Sequence, residues 1–206
     1  RRATPAGATP EAVLELLVAL ARDLPSSGPV GLAFPAVAKQ GVAWTAANID
    51  KRWIGMNVQG HLQARLQRPV AFLNDADAAG IAEMTLGAGR NRDGTVMVIT
   101  LGTGMGAALF SDGRLLPNLE LGHHPFEKGF TYEERLGQAA LDKVGKETWN
   151  HRAQRAFALL QRVFNYRVLY VGGGNVRKLT GKQPDTIVLV PNAIAFSGGV
   201  KLWDAR

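Results

Sequence analysis

The sequence predicts an α/β protein with a mixed sheet, and three observations carry that expectation. Segments of strand and helix character alternate over most of the 206 residues. Asp112-Gly113, a strong hairpin turn, places an antiparallel stretch in the middle of the chain. The segment Thr148 to Phe164 carries apolar side chains at 149, 153, 156, 157, 160, 163 and 164, the spacing of one helix face.

Taken in order, Thr9-Pro10-Glu11 reads as a cap followed by a first-turn proline, so a helix is expected over Glu11 to Asp23. After the breaker at Pro25 to Gly28, a buried strand is expected to end at Phe34, followed by a small hairpin around Gly41. A helix over Val58 to Leu66, a strand over Val70 to Leu73 and a helix over Ala76 to Leu86 come next. Strands are then expected at Thr95–Leu101, Ala107–Phe110 and Arg114–Leu116, and helices at Tyr132–Val144 and Thr148–Phe164. Arg167 to Val171 and Thr186 to Val190 read as strands, and Asn192 to Trp203 as a small-residue helix. Hinge candidates lie near residue 74 and at 120–130.

Composition narrows the function. A hydrophobic share of 46% with 20% charged residues is that of a globular protein, and no apolar run reaches the length of a membrane span. Cysteine is absent, which removes disulfides and thiolate metal sites and fits a cytoplasmic protein. The net charge of +7 is uneven: residues 128–182 carry 11 basic side chains against four acidic ones, while residues 1–127 balance. A solvated basic face explains this as well as a surface that attracts a polyanion such as a nucleotide or polyphosphate.

Several short motifs invite a chemical reading, each with a structural alternative. Asn74-Asp75 follows a strand and opens a helix, where Asn and Asp serve as caps. The same place suits a carboxylate that accepts a proton from a substrate hydroxyl. This argument does not separate Asp75 from Asp77. In Leu101-Gly102-Thr103-Gly104-Met105-Gly106, glycines between two strands would let backbone N–H groups approach an anion, or would simply form a hairpin. It is neither a Walker loop nor a dinucleotide fingerprint. Gly172-Gly173-Gly174-Asn175 ends a strand, as an ordinary turn or as a crest for a nucleoside. Glu120-Leu121-Gly122-His123-His124 suits hydrogen bonding of a polyhydroxylated ligand better than a metal, since adjacent residues on an extended chain point apart. Glu133-Glu134 stands at a helix start, where the dipole alone favours acid.

The order of these motifs resembles the ROK sugar kinases: Asn-Asp after a strand, a strand–Gly-Thr-Gly–strand hairpin, Glu-x-Gly-His, then a triple glycine. Thr45-Ala-Ala-Asn48, the run Leu73 to Gly80 and Leu101 to Gly104 are most similar to the polyphosphate glucokinase branch. The resemblance implies an actin-like ATPase (ribonuclease H-like) fold of two lobes with mixed sheets. The lobes are expected over residues 1–73 and 74–190, with residues 191–206 packing back as a C-terminal helix. It implies transfer of a phosphoryl group from polyphosphate or ATP, with Mg²⁺, to the 6-hydroxyl of glucose or a similar hexose. Asp75 would be the base; Asn48, Asn74, Glu120, His123 and Glu133 would hold the sugar. Gly102, Thr103 and Gly104 would hold the donor phosphates, and Gly172, Gly173 and Gly174 its nucleoside part. A homodimer is implied, with neither nucleic acid nor membrane as partner.

Three departures accompany the resemblance. The cysteine-rich zinc motif of many ROK proteins is missing, so no zinc is expected. Pro125 to Tyr132 departs from the polyphosphate glucokinase pattern, which bears on the donor. The strand and Asp-x-Gly-Gly-Thr loop with which these kinases start do not occur, so the N-terminal lobe is expected to be incomplete and turnover poor. Alternative readings are a non-catalytic sugar-binding regulator and a kinase for another hexose or an N-acetylated amino sugar.

Overall fold

The computed structural model of the chain describes residues 2–47 and 49–191. Asn48 and the helix expected over Asn192 to Trp203 lie outside the described residues.

Helix α1 (Pro10–Asp23) starts as its sequence dictates: the Thr9 side chain accepts from the Ala12 amide, and Pro10 stands at the first turn. Strand β1 (Val30–Phe34) is followed by the short hairpin β2 (Ala38–Lys39) and β3 (Val42–Ala43). Helix α2 (Val58–Leu66), capped by Asn57, leads into β4 (Val70–Asn74), which pairs in parallel with β1. These elements share one apolar core, in which Leu14, Val18, Phe34, Trp53, Val58 and Leu62 are buried. The Trp53 indole N–H donates to the Ala8 carbonyl, so burying this ring leaves no orphan donor.

Helix α3 (Asp75–Leu86) follows β4 without a loop. It packs on a second sheet made of β5 (Thr95–Leu101), β6 (Met105–Ser111), β7 (Arg114–Leu116), β10 (Val168–Gly172) and β11 (Ile187–Leu189). Between β7 and β10 lie the hairpin β8 (Pro125–Glu127) and β9 (Phe130–Thr131), then helices α4 (Tyr132–Leu136) and α5 (Gln138–Phe164). The strand order is β7-β6-β5-β10-β11; the first three run antiparallel, and β10 and β11 lie parallel to β5. This is the mixed sheet that the alternation and the Asp112-Gly113 turn predict.

Period-2 patterning explains why the sheet has helices on both faces. Val96, Val98, Ala108, Phe110 and Tyr170 form one core with Met84 of α3. Met97, Ile99, Leu101, Leu169 and Val171 form the other with Leu136, Trp149, Phe157 and Leu160 of α4 and α5. Of the stripe predicted over 149–164, Val163 is the exception and stands 71% exposed in the last turn.

The helix expected over Tyr132 to Val144 is divided. It stops at Leu136, restarts at Gln138, and is turned again at Gly145, whose φ of 77° lies outside the helical region. At the first stop the chain lies against the β5–β6 turn: a Cβ at position 137 would sit 2.6 Å from the Thr103 carbonyl, and the Gln138 amide donates to the Gly102 and Thr103 carbonyls. Among the described residues, no helix is long and apolar enough to cross a membrane.

Candidate active site

A cleft of about 470 Å³ opens where β4, the β5–β6 turn and the 3-10 turn at Leu121–His123 converge. Its lining includes Asn74, Asp75, Gly102, Thr103, Gly104, Glu120, His123, Glu133, Gly173 and Gly174. Of the residues singled out in the sequence, Gly172 stands apart: it closes β10, buried opposite Thr100, and is not in the lining. Asn48 cannot be placed, being outside the described residues.

The start of α3 allots different roles to its three polar residues, Asn74, Asp75 and Asp77. The Asn74 side-chain oxygen accepts from the Ala76 and Asp77 amides at 2.8 and 3.2 Å, capping the helix. Its amide nitrogen donates to the Ala36 carbonyl and to Glu120 Oε1, each at 3.1 Å. Capping and orientation of a cleft carboxylate are thus carried by opposite ends of one side chain. Asp75, relieved of capping, faces the cleft. Although open to the cleft, its carboxyl is walled by protein, and this desolvation raises its pKa above the ordinary carboxylate value; a bond from the Ala76 amide opposes the rise.

Asp77, two residues on, turns inward and is 2% exposed. Its Oδ2 accepts from the Asn118 amide at 2.8 Å, while Oδ1 has no hydrogen-bond partner among the described residues. Burial, aided by the charges of Glu120 and Asp75, pushes its pKa up to about 6 despite the Asn118 bond. The two aspartates that the sequence leaves equivalent are therefore separated by burial.

Glu120 and His123 meet across the 3-10 turn, with His123 Nε2 3.4 Å from Glu120 Oε2. Burial raises the Glu120 pKa; His123 opposes this, and the charges of Asp75 and Glu133 add to it. His124 turns elsewhere: its ring lies against Tyr132 and its Nδ1 is 2.8 Å from the Pro125 carbonyl. The adjacent glutamates also divide. Glu134 and Thr131 form a reciprocal capping box at the start of α4, whereas Glu133 reaches the cleft beside Gly104. A Cβ on Gly104 would lie 2.3 Å from Glu133 Oε2, so only glycine permits this approach.

The glycine turns stack on one another. Gly173, at a φ of +91°, lies so close to β5 that a Cβ would be 2.3 Å from the Leu101 carbonyl oxygen. Asn175 secures the contact, donating from its backbone to Leu101 O at 2.9 Å and from its side chain to Gly102 O at 3.1 Å. The start of α5 ties in as well, with the Gln138 amide shared between the Gly102 and Thr103 carbonyls. The glycine turns and the carboxylates of Asp75, Glu120 and Glu133 thus line the same cleft, with Glu133 against Gly104. No three His, Asp or Glu side chains gather as metal ligands among the described residues.

The ROK family sequence profile matches residues 1–140. The chain belongs to the ROK family. Polyphosphate glucokinase of Mycobacterium leprae is 38% identical over 178 residues, covering 85% of this chain and 55% of that protein. The polyphosphate glucokinase of Mycobacterium tuberculosis is 35% identical over 204 residues, covering 96% of this chain and 76% of its own length. The chain thus spans little more than half of the first relative. Among solved structures, the inorganic polyphosphate/ATP-glucomannokinase of Arthrobacter sp. strain KM superposes with a TM-score of 0.86 at 37% identity, over 98% of this chain and 87% of that one. A ROK family glucokinase from Streptomyces griseus superposes with a TM-score of 0.77 at 20% identity, over 98% of this chain and 89% of its own, and shows the shared fold. These ROK neighbours have the actin-like ATPase fold, and this chain carries it.

Sequence reasoning missed Asn118 and the inward role of Asp77. The partners of Asn118, Ala38 and Asp77, are remote from it in sequence.

Proposed function

We propose that this ROK chain forms the body of a glucokinase, moving a phosphoryl group from polyphosphate or ATP to the 6-hydroxyl of glucose. The observation that carries the reading is the placement of Asp75: a carboxylate facing a cleft that other carboxylates and the glycine turns also line, while Asn74 takes the helix cap. The Asp75 carboxylate takes the 6-hydroxyl proton as the oxygen attacks the terminal phosphorus, and the bond from that phosphorus to the leaving phosphate breaks. Asn74, Glu120, His123 and Glu133 hold the remaining hydroxyls. Asn48 joins them in this reading. Gly102, Thr103 and Gly104 receive the donor phosphates, and Gly173 and Gly174, with Gly172 behind them, the nucleoside of ATP. Catalysis of this kind is mostly positioning and electrostatics.

The described residues form no protein cage for Mg²⁺. A Mg²⁺ ion here would be held by the donor phosphates and water with at most one or two of the cleft carboxylates, and would neutralise phosphate charge. The basic excess over residues 128–182 favours polyphosphate as a donor, because a long polyanion needs a cationic surface. A cytoplasmic homodimer completes the reading; the lack of cysteine fits the reducing compartment.

The test is a coupled glucose 6-phosphate assay with ATP and polyphosphate supplied separately, on the wild type and Asp75→Ala. The variant should lose turnover and still bind glucose. Retained turnover would remove Asp75 as the base. Turnover on ATP that polyphosphate leaves untouched would remove the polyphosphate donor.

A further inference from the structure

Asn118 joins parts of the chain that share no core. It sits in the left-handed region at a φ of 63°, between β7 and Glu120. Its side-chain oxygen accepts from the Ala38 amide at 2.7 Å, and its side-chain nitrogen donates to the Ala38 carbonyl at 3.1 Å. One amide side chain therefore mimics a strand partner for β2, in the unit built on β1 and β4. Its own backbone N–H is held by the buried Asp77 of α3. Two residues further on, Glu120 is held by Asn74 of the same helix turn.

We propose that Asp77 and Asn118 are positioning residues, forming a clasp that joins the β2–β3 hairpin to the Glu120 loop and so places Glu120 for the sugar. The affinity part rests on the reading of Glu120 as a sugar ligand. The chain of contacts runs from Asp77 to the Asn118 backbone, then through the Asn118 side chain to Ala38. Opening either link breaks the connection between the two segments: the hairpin keeps its bonds to Met56 and Gln59, the Glu120 loop keeps Leu121 in the core, and Glu120 itself keeps Asn74.

The clasp is tested with Asn118→Gly, which keeps the left-handed backbone and removes the grip on Ala38. Hydrogen exchange should quicken over residues 36–44 and 117–121. Glucose affinity, read by tryptophan fluorescence or calorimetry, should weaken on the order of 10-fold, the effect of about one hydrogen bond. In the kinase assay KM should move by a similar factor, with kcat changing less than about 3-fold, since Asp75 and the glycine turns are untouched. Asp77→Ala should loosen the same two segments, and Asp77→Asn, which keeps an acceptor, should restore them. A merely structural role would lower the melting temperature without this split between KM and kcat. Unchanged exchange in both segments, or unchanged glucose affinity beside a wild type that binds glucose, overturns the proposal. A wild type that does not bind glucose refutes the sugar reading of Glu120, and exchange then decides the clasp by itself.

Discussion

Asp77→Asn should make the protein more stable at neutral pH, and the gain should disappear in acid. The Asp77 carboxyl is pushed from its ordinary 3.8 to about 6 by burial and by its carboxylate neighbours. The folded state therefore holds this proton more tightly than the unfolded state does. Stability from this group is full below about pH 4 and is lost as pH rises through about 6. At 1.36 kcal/mol per pH unit, the displacement is worth about 3 kcal/mol at pH 8. That is an upper bound, because Glu120 and Asp75 titrate along with Asp77. Asparagine has the shape of the protonated acid and keeps an acceptor for the Asn118 amide. The variant should equal the wild type near pH 4 and exceed it at pH 8 by up to about 3 kcal/mol, or roughly 6–12 °C in melting temperature for a chain of this size. Urea or thermal melts at the two pH values measure it. Equal stability at pH 8, or a gain at pH 4 as large as at pH 8, would show that Asp77 is not a destabilised buried carboxylate.

Four other outcomes follow from the geometry. Gly173→Ala combines a left-handed φ with a Cβ that meets Leu101 backbone, so stability should fall by at least about 2 kcal/mol and donor KM should rise more than glucose KM. Trp149→Phe removes a fully buried indole whose N–H donates to Leu136 O at 2.9 Å; denaturant melts should register a loss of about 1–3 kcal/mol. Glu127→Ala leaves Arg135 and Arg152, each more than four-fifths buried, without the carboxylate they share; thermal melts should show a loss of about 3 kcal/mol. Turnover should fall on the acid side with an inflection above the ordinary carboxylate range, because burial raises Asp75 and the base works only when ionised. An acid limb at or below about pH 4 would contradict that environment.

Element order was legible because it depends on local signals: Thr9 and Pro10 starting α1, Asp112-Gly113 turning β6 into β7, and alternation sending Val96 and Met97 to opposite faces. What stayed hidden is set by partners distant in the chain. Asp75 and Asp77 lie some 200° apart around a helix, but which of them meets solvent depends on the packing of α3 against the Asn118 loop. The run Gly172 to Gly174 reads as three equals, and only the approach of Leu101 singles out Gly173. Likewise, the break at Gly137 lies where the chain meets the distant Gly102-Thr103 turn, and periodicity along Tyr132 to Val144 carries no trace of it.

The two ends of the Asn74 amide have an evolutionary consequence. A serine or aspartate at this position would cap α3 adequately, and the fold would survive. Neither offers the same pair of N–H donors to Glu120 and the Ala36 carbonyl. Conversely, a residue chosen only to hold Glu120 would leave the helix start without its acceptor. Selection for a well-folded chain and selection for a well-placed Glu120 thus act on the same few atoms. A lineage that drifts at position 74 loses either the cap or the hold on Glu120, and asparagine is the residue that keeps both.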